Sequence, residues 1–135
     1  MATKVLDSWA LLAFLEDEPA AEEVKKLLLK GEAGTHKLLL SVINWGEIYY
    51  SVMRTTSKER AETIAKEIAG MPIEVIGVGD DLVLAKQAAI YKATRKMSYA
   101  DCFAAALSKV RNAELITGDD EFKEVEGEIK IGWLN

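Results

Sequence analysis

The chain has 135 residues, of which half are hydrophobic and 29% charged, and a formal net charge of −5. That length buries a core without staples, the single Cys102 excludes a disulfide framework and a thiolate zinc cluster, and the acidic balance argues against a general nucleic-acid coating protein, which carries a basic face. The apolar start is interrupted at Asp7 and the run after it is too short to cross a bilayer, so the expectation is one cytoplasmic domain over residues 1–135, with no membrane contact.

Taken in order, "TKVLD" reads as a short apolar strand and "SWALLAFLED" as a short helix. "PAAEEVKKLLLK" is a second helix, with Pro19 suited to its first turn and Gly31 to its end. "HKLLLSV" is a strand whose continuous apolar middle predicts cover on both faces. "NWGEIYYSVMRTT" is a helix capped by Asn44, and "SKERAETIAKEIAG" a helix stopped by Gly70 and Pro72. "IEVIGV" is a third strand. "DDLVLAKQAAIYKATR" and "SYADCFAAALSKVR" are helices, "AELIT" a fourth strand, "DDEFKEV" a short helix and "EIKIGW" a fifth strand. Strands separated by helices predict an α/β fold with a mainly parallel sheet, and right-handed crossovers place helices on both of its faces.

The acids carry the chemistry. Asp7 ends the first strand, and the fourth runs through Thr117 and Gly118 into Asp119. In an open parallel sheet ligands bind beyond the carboxyl ends of the strands, so both fall at the functional edge. Glu47 and Asp101 occupy first turns of helices, and first-turn side chains project toward the helix N-terminus. Asp101 follows a helix rather than a strand, which leaves its placement at that edge open.

A structural reading competes at each position. "NWGE" has the spacing of a capping box, "SYAD" a weaker version of it, and Asp119 could cap "DDEF"; Asp7 is harder to read as a cap, because an apolar strand precedes it. Convergence, however, has an electrostatic cost that no cap requires. Two carboxylates about 5 Å apart at an effective dielectric of about 20 repel by roughly 3 kcal/mol. A divalent cation relieves it, and hard oxygen donors without His or Cys favour Mg²⁺ or Mn²⁺ over Zn²⁺.

With these motifs in order, the chain resembles a PIN-domain ribonuclease over nearly its whole length, and is particularly similar to the VapC toxins of toxin–antitoxin pairs. The resemblance rests on "VLDSWALLAFL", "NWGEI", "SYADCFAAAL" and "LITGDDEF". It implies a three-layer α/β/α domain with a parallel sheet of about five strands, and four acids gathering one or two metal ions. Carried over, Asp7, Glu47, Asp101 and Asp119 take the catalytic, metal-ligating positions. Ser8 fills the slot beside the first acid, and Asn44 and Thr117 support the site through hydrogen bonds. Asp120 competes with Asp119; the pattern favours Asp119, two residues after Thr117 and three before Phe122. The implied activity is that of a Mg²⁺- or Mn²⁺-dependent endoribonuclease, the toxin of a pair, with a homodimer and a cognate antitoxin as partners.

Lys92, Arg95 and Lys96 precede Asp101 and offer phosphate contacts to RNA; their competing reading is a solvated helix end. Arg54, Lys58 and Arg60 make a weaker case of the same kind. Cys102 reads as a small buried hydrophobe and His36 as a loop residue. Two rivals remain. One is a non-catalytic PIN-like binding or scaffold module; the other, a receiver-type phosphoacceptor, lacks the acidic pair at the first strand end and the matching Lys-Pro.

Overall fold

A computed structural model describes residues 1–135. Five strands, β1 (Ala2–Leu6), β2 (His36–Ser41), β3 (Ile73–Ile76), β4 (Glu114–Thr117) and β5 (Ile131–Trp133), form one sheet of order β3-β2-β1-β4-β5. Every pairing is parallel. Six helices connect them: α1 (Ser8–Leu15), α2 (Ala21–Glu32), α3 (Val42–Thr55), α4 (Lys58–Ala69), α5 (Val83–Thr94) and α6 (Tyr99–Arg111), with a 3₁₀ segment over Asp120–Val125.

Alternation along the strands divides the core in two. Val5, Leu39 and Leu115 point to one face, where α5 and α6 bury Leu84, Ala88, Phe103 and Leu107 against them. Leu6, Leu38, Leu40 and Ile116 point to the other, under Leu11, Val24, Ile48, Val52 and Ile64 of α1 to α4. Successive strand residues face opposite sides, so a strand covered on both faces must be apolar at consecutive positions, as Leu38–Leu39–Leu40 is. The result is the expected three-layer α/β/α arrangement. Cys102 lies fully buried in the first of these cores.

The strand order fixes where a site can form. From β1 the chain moves outward through β2 to β3, then returns to place β4 on the other side of β1. The crevice opens where the order reverses, beyond the carboxyl ends of β1 and β4. Leu6 pairs with Ile116, so the next residues, Asp7 and Thr117, emerge side by side.

Several boundaries differ from expectation. The third helix begins at Val42, not after Asn44, and its cap is Ser41, whose hydroxyl accepts the Ile43 N–H at 3.2 Å. Strand β2 passes into α3 with no loop, so Asn44 is a buried residue within the helix. Gly31 lies inside α2 rather than at its end; a Cβ there would sit 2.9 Å from Leu38 Cδ1, so it serves the close packing of α2 on β2. Pro19 lies just outside α2, whose cap is Ala20. His36 is the first residue of β2, not part of a loop.

Leu82, immediately before α5, holds φ 63° and ψ 1° and is 67% exposed. A branched side chain in the left-handed region costs about 1–2 kcal/mol, and this one recovers little by burial. Leu82→Asn is expected to raise the unfolding free energy by about 1 kcal/mol, because Asn tolerates that conformation. Urea denaturation checks this; a loss of stability would show that Leu82 packs in solution.

Candidate functional site

Asp7 follows β1 directly and has 1% of its surface exposed. Its Oδ1 accepts the Ala10 N–H at 2.9 Å, which makes it the N-cap of α1 after all. The apolar strand does not prevent this, since β1 hands over to α1 at Asp7 itself. Its Oδ2 accepts the Thr117 hydroxyl at 2.6 Å across the β1–β4 crevice. The same Thr117 oxygen accepts the Asp119 N–H at 3.0 Å. One threonine therefore ties the two strand exits together.

Asp101 occupies the first turn of α6, 7% exposed. The helix that feeds β4 runs opposite to it, so α6 starts at the strands' carboxyl edge. Ser98 caps α6 by accepting the Asp101 N–H at 3.2 Å. In a capping box the third-position acid would reach back to the Ser98 N–H. Here Glu121 of the 3₁₀ segment accepts that N–H instead, and the Asp101 carboxyl group is left to face the acids.

Asp119 caps the 3₁₀ segment, its Oδ1 accepting the Glu121 N–H at 2.9 Å. Carboxylate oxygens of Asp101, Asp119 and Glu121 lie within 4.8 Å of one another. Asp120 points away, exposed, with Oδ1 3.5 Å from Lys123 Nζ. Of the two competing aspartates it is Asp119 that lines the hollow, together with Ser8, Trp9, Leu12, Glu47, Tyr50, Ser51, Ser98, Asp101 and Glu121.

Glu47 enters from α3. Its Oε1 accepts the Ser8 hydroxyl and, at 3.4 Å, the Asn44 amide. Asn44 Nδ2 also donates to the Ala100 carbonyl at 3.2 Å, joining α3 to the start of α6. Both donors converge on one oxygen of Glu47, so its orientation is fixed while Oε2 has no protein donor.

Burial pushes the Asp7 carboxyl up to about 7, against the Thr117 and Ala10 hydrogen bonds that pull it down; the charges of Asp119 and Glu47 push it further. Asp101 is also raised, first by burial, then by its hydrogen bond to Glu121 and the charges of Asp119, Glu121 and Asp7. Desolvation and like charge both disfavour ionisation. Such perturbation in a cleft marks functional sites.

Sequence reasoning did not single out Glu121. A weak signal was available: it ends the acidic run of "DDE", two residues beyond Asp119. The basic residues proposed for RNA are largely engaged elsewhere. Lys92 Nζ donates to the Met97 carbonyl at 2.9 Å, and Arg95 pairs with Glu128 and donates to the Glu124 carbonyl at 3.0 Å. Lys96 is exposed and in no ion pair.

The PIN domain family model matches residues 4–128. The chain belongs to the PIN domain family. Among curated protein sequences none matches it. Solved structures similar to this PIN domain include VapBC2 from Rickettsia felis bound to a DNA fragment from its promoter, with TM-score 0.73, 16% identity and coverage of 98% of this chain and 99% of that one. VapBC-1 from nontypeable Haemophilus influenzae has TM-score 0.69, 20% identity and 97% coverage of both chains. VapC20 from Mycobacterium tuberculosis, a toxin that cleaves the sarcin–ricin loop, has TM-score 0.69, 18% identity and coverage of 94% and 97%. No helix of this PIN domain is long and apolar enough to cross a membrane.

Gly118 sits between Thr117 and Asp119, and a Cβ there would lie 2.2–2.6 Å from three ring atoms of Trp9. The indole closes over the strand exit because no side chain blocks it. Gly118→Ala is expected to cost about 1–3 kcal/mol of stability, the usual penalty of overpacking, and to displace Asp119. Thermal unfolding with and without Mn²⁺ measures both effects; an unchanged midpoint in each condition would show that Trp9 moves freely.

Proposed function

We propose that this PIN domain is a divalent-cation-dependent endoribonuclease, one 135-residue domain acting as the toxin of a toxin–antitoxin pair. The observation that carries the reading is the gathering of Glu47, Asp101, Asp119 and Glu121 around one hollow, with Asp7 buried beside them and within reach of the charges of Asp119 and Glu47. The donor set fits Mg²⁺ or Mn²⁺: it is all carboxylate oxygen, with three ligand atoms within 4.8 Å and no His or Cys. Asp7, Asp101, Asp119 and Glu121 would hold the ion, with Glu47 at the edge of the shell. When bound, it supplies Lewis-acid polarisation of a phosphodiester and activation of water near neutral pH.

The protein's own groups orient the reaction. Ser8 and Asn44 hold Glu47 so that its free Oε2 accepts a proton from the attacking water. Thr117 fixes Asp7 against rotation and keeps Asp119 in register with it. In-line attack forms the new P–O bond and breaks the P–O3′ bond; the 3′ oxygen leaves as a hydroxyl, taking its proton from solvent, and the phosphate stays on the 5′ carbon of the next nucleotide. The scaffold alternative has no comparable use for the acids, since capping alone does not require them to converge.

The VapBC structures that this chain resembles support an antitoxin partner; a homodimer and a cytoplasmic setting beside RNA are part of the same proposal and follow from the resemblance to VapC toxins. Purified protein incubated with structured RNAs and Mn²⁺ is expected to release fragments carrying 5′-phosphates. Absence of both cleavage and Mn²⁺ binding would favour the scaffold module.

A further inference from the structure

The acidic hollow poses a problem for an RNA substrate. It repels the phosphates that flank the scissile bond, and the chain as a whole carries −5. Phosphate grip needs a cation at the rim; Lys92 and Arg95 are engaged elsewhere, and Lys96, though unpaired, does not line the hollow.

Helix α3 offers a different pair. Glu47, Tyr50, Ser51 and Arg54 recur at i, i+3, i+4 and i+7, one stripe of the helix, and the first three line the hollow. Tyr50 is 50% exposed. Arg54 is exposed, belongs to none of the chain's ion pairs, and lies over the Tyr50 ring with Cζ 5.0 Å from its centroid. The contrast with the neighbouring aromatic is instructive. Tyr49 stacks on Trp45 with centroids 5.6 Å apart, and its hydroxyl donates to Glu62 of α4. Tyr49 is thus spent on packing α3 against α4, whereas Tyr50 lines the hollow with its ring under Arg54. Arg60, one helix further along the chain, is paired with Glu67 at 3.6 Å.

We propose that Tyr50 and Arg54 form the substrate clamp of this site: Tyr50 stacks one unpaired base beside the scissile phosphate, and Arg54, held over the ring, contacts a neighbouring phosphate. This deepens the nuclease reading and rests on it. The hollow measures ≈370 Å³, at the small end of ligand sites of about 300–1,000 Å³. That size takes a splayed nucleotide rather than a duplex. Base–aromatic stacking is indifferent to base identity, and in double-stranded RNA the base faces are hidden. The clamp therefore requires an unpaired base beside the scissile phosphate. Stacking requires the ring and not the hydroxyl.

The test separates the clamp from the chemistry. In steady-state cleavage of an unpaired oligoribonucleotide with Mn²⁺, Tyr50→Ala is expected to raise KM about 10-fold or more with kcat changing much less, and Tyr50→Phe to retain the wild-type KM. Arg54→Ala is expected to weaken binding and reduce the salt slope by about 0.7, the loss of one phosphate contact to a single strand. A second readout does not depend on cleavage: a 2-aminopurine oligoribonucleotide bound to the non-cleaving Asp7→Asn protein is quenched by stacking, and adding Tyr50→Ala abolishes the quenching. Wild-type cleavage with an unchanged KM and unchanged quenching in Tyr50→Ala overturns the clamp and leaves the nuclease reading standing. Failure of the wild type to bind or cleave any of these RNAs removes the nuclease reading, and the clamp with it.

Discussion

Asp7→Asn is expected to lower RNA cleavage in Mg²⁺ or Mn²⁺ by about 10³-fold or more while leaving the fold intact. Three features make Asp7 the most sensitive position. It is the most buried of the acids at 1% exposure, it stands at the reversal of strand order, and both of its oxygens are fixed, by Ala10 N–H and by Thr117. The cation's contribution to such a reaction amounts to several kcal/mol of transition-state stabilisation, and each 1.36 kcal/mol is tenfold in rate. A neutral amide in this position removes one charge from the acids that would hold the ion. The fold survives for a specific reason. Asn keeps an oxygen for the Ala10 N–H, and its amide can donate to Thr117 Oγ1, so the α1 cap and the β1–β4 link both persist. Cleavage rates, paired with circular dichroism and thermal unfolding, measure the two halves of this prediction. Residual activity within a few-fold of wild type would mean that the ion, if bound, is held without Asp7, and the proposed chemistry would lose its centre.

The parts of the site that could be read from the sequence are those that follow strands. Asp7 and Asp119 each lie just beyond an apolar run, and a parallel sheet sends all such exits to one edge. The sequence leaves the place of Asp101 open because it follows α5. What decides its position is the element after it: a helix feeding a parallel strand must start where the strand will end. The sequence suggests Asn44 as a cap because "LLLSVIN" shows no break between strand and helix. An apolar strand buried on both faces and the first turn of a buried helix carry the same residue types, so only the backbone reveals that Ser41 is the junction. Glu121 escaped because its role is tertiary. Its bond to the Ser98 N–H joins segments 23 residues apart, and that bond is what releases Asp101 from its own capping box. Lys92 and Arg95 read as phosphate ligands from their place before Asp101, but Lys92 turns to the nearby Met97 carbonyl, and the Arg95 partners Glu124 and Glu128 come close only in the folded chain.

The second large effect concerns the protein without metal. Burial pushes the folded Asp7 carboxyl up to about 7, against 3.8 for the free group. Between those values the native state holds a proton that the unfolded chain has released. Stability of the metal-free protein therefore falls as pH rises through this window and levels off above it. From pH 5 to pH 8 the expected loss from Asp7 alone is about 3 kcal/mol, and Asp101, raised for the same reason of burial, adds to it. Asp7→Asn has no such proton to lose. In EDTA its urea midpoint should depend less on pH, and at pH 8 it should exceed that of the wild type, whose Asp7 is then ionised and desolvated among other acids. Millimolar Mn²⁺ should reverse the order. An ion that binds only the native state stabilises it in proportion to the logarithm of its excess over Kd, and it does so by accepting the charges that crowd the apo site. The crossing of the two variants, Asp7→Asn above wild type in EDTA and below it in Mn²⁺, separates this mechanism from the general repulsion of an acidic chain, which acts on both proteins alike. Parallel pH profiles for the two would show that the hollow is wet enough to carry its charges without an ion.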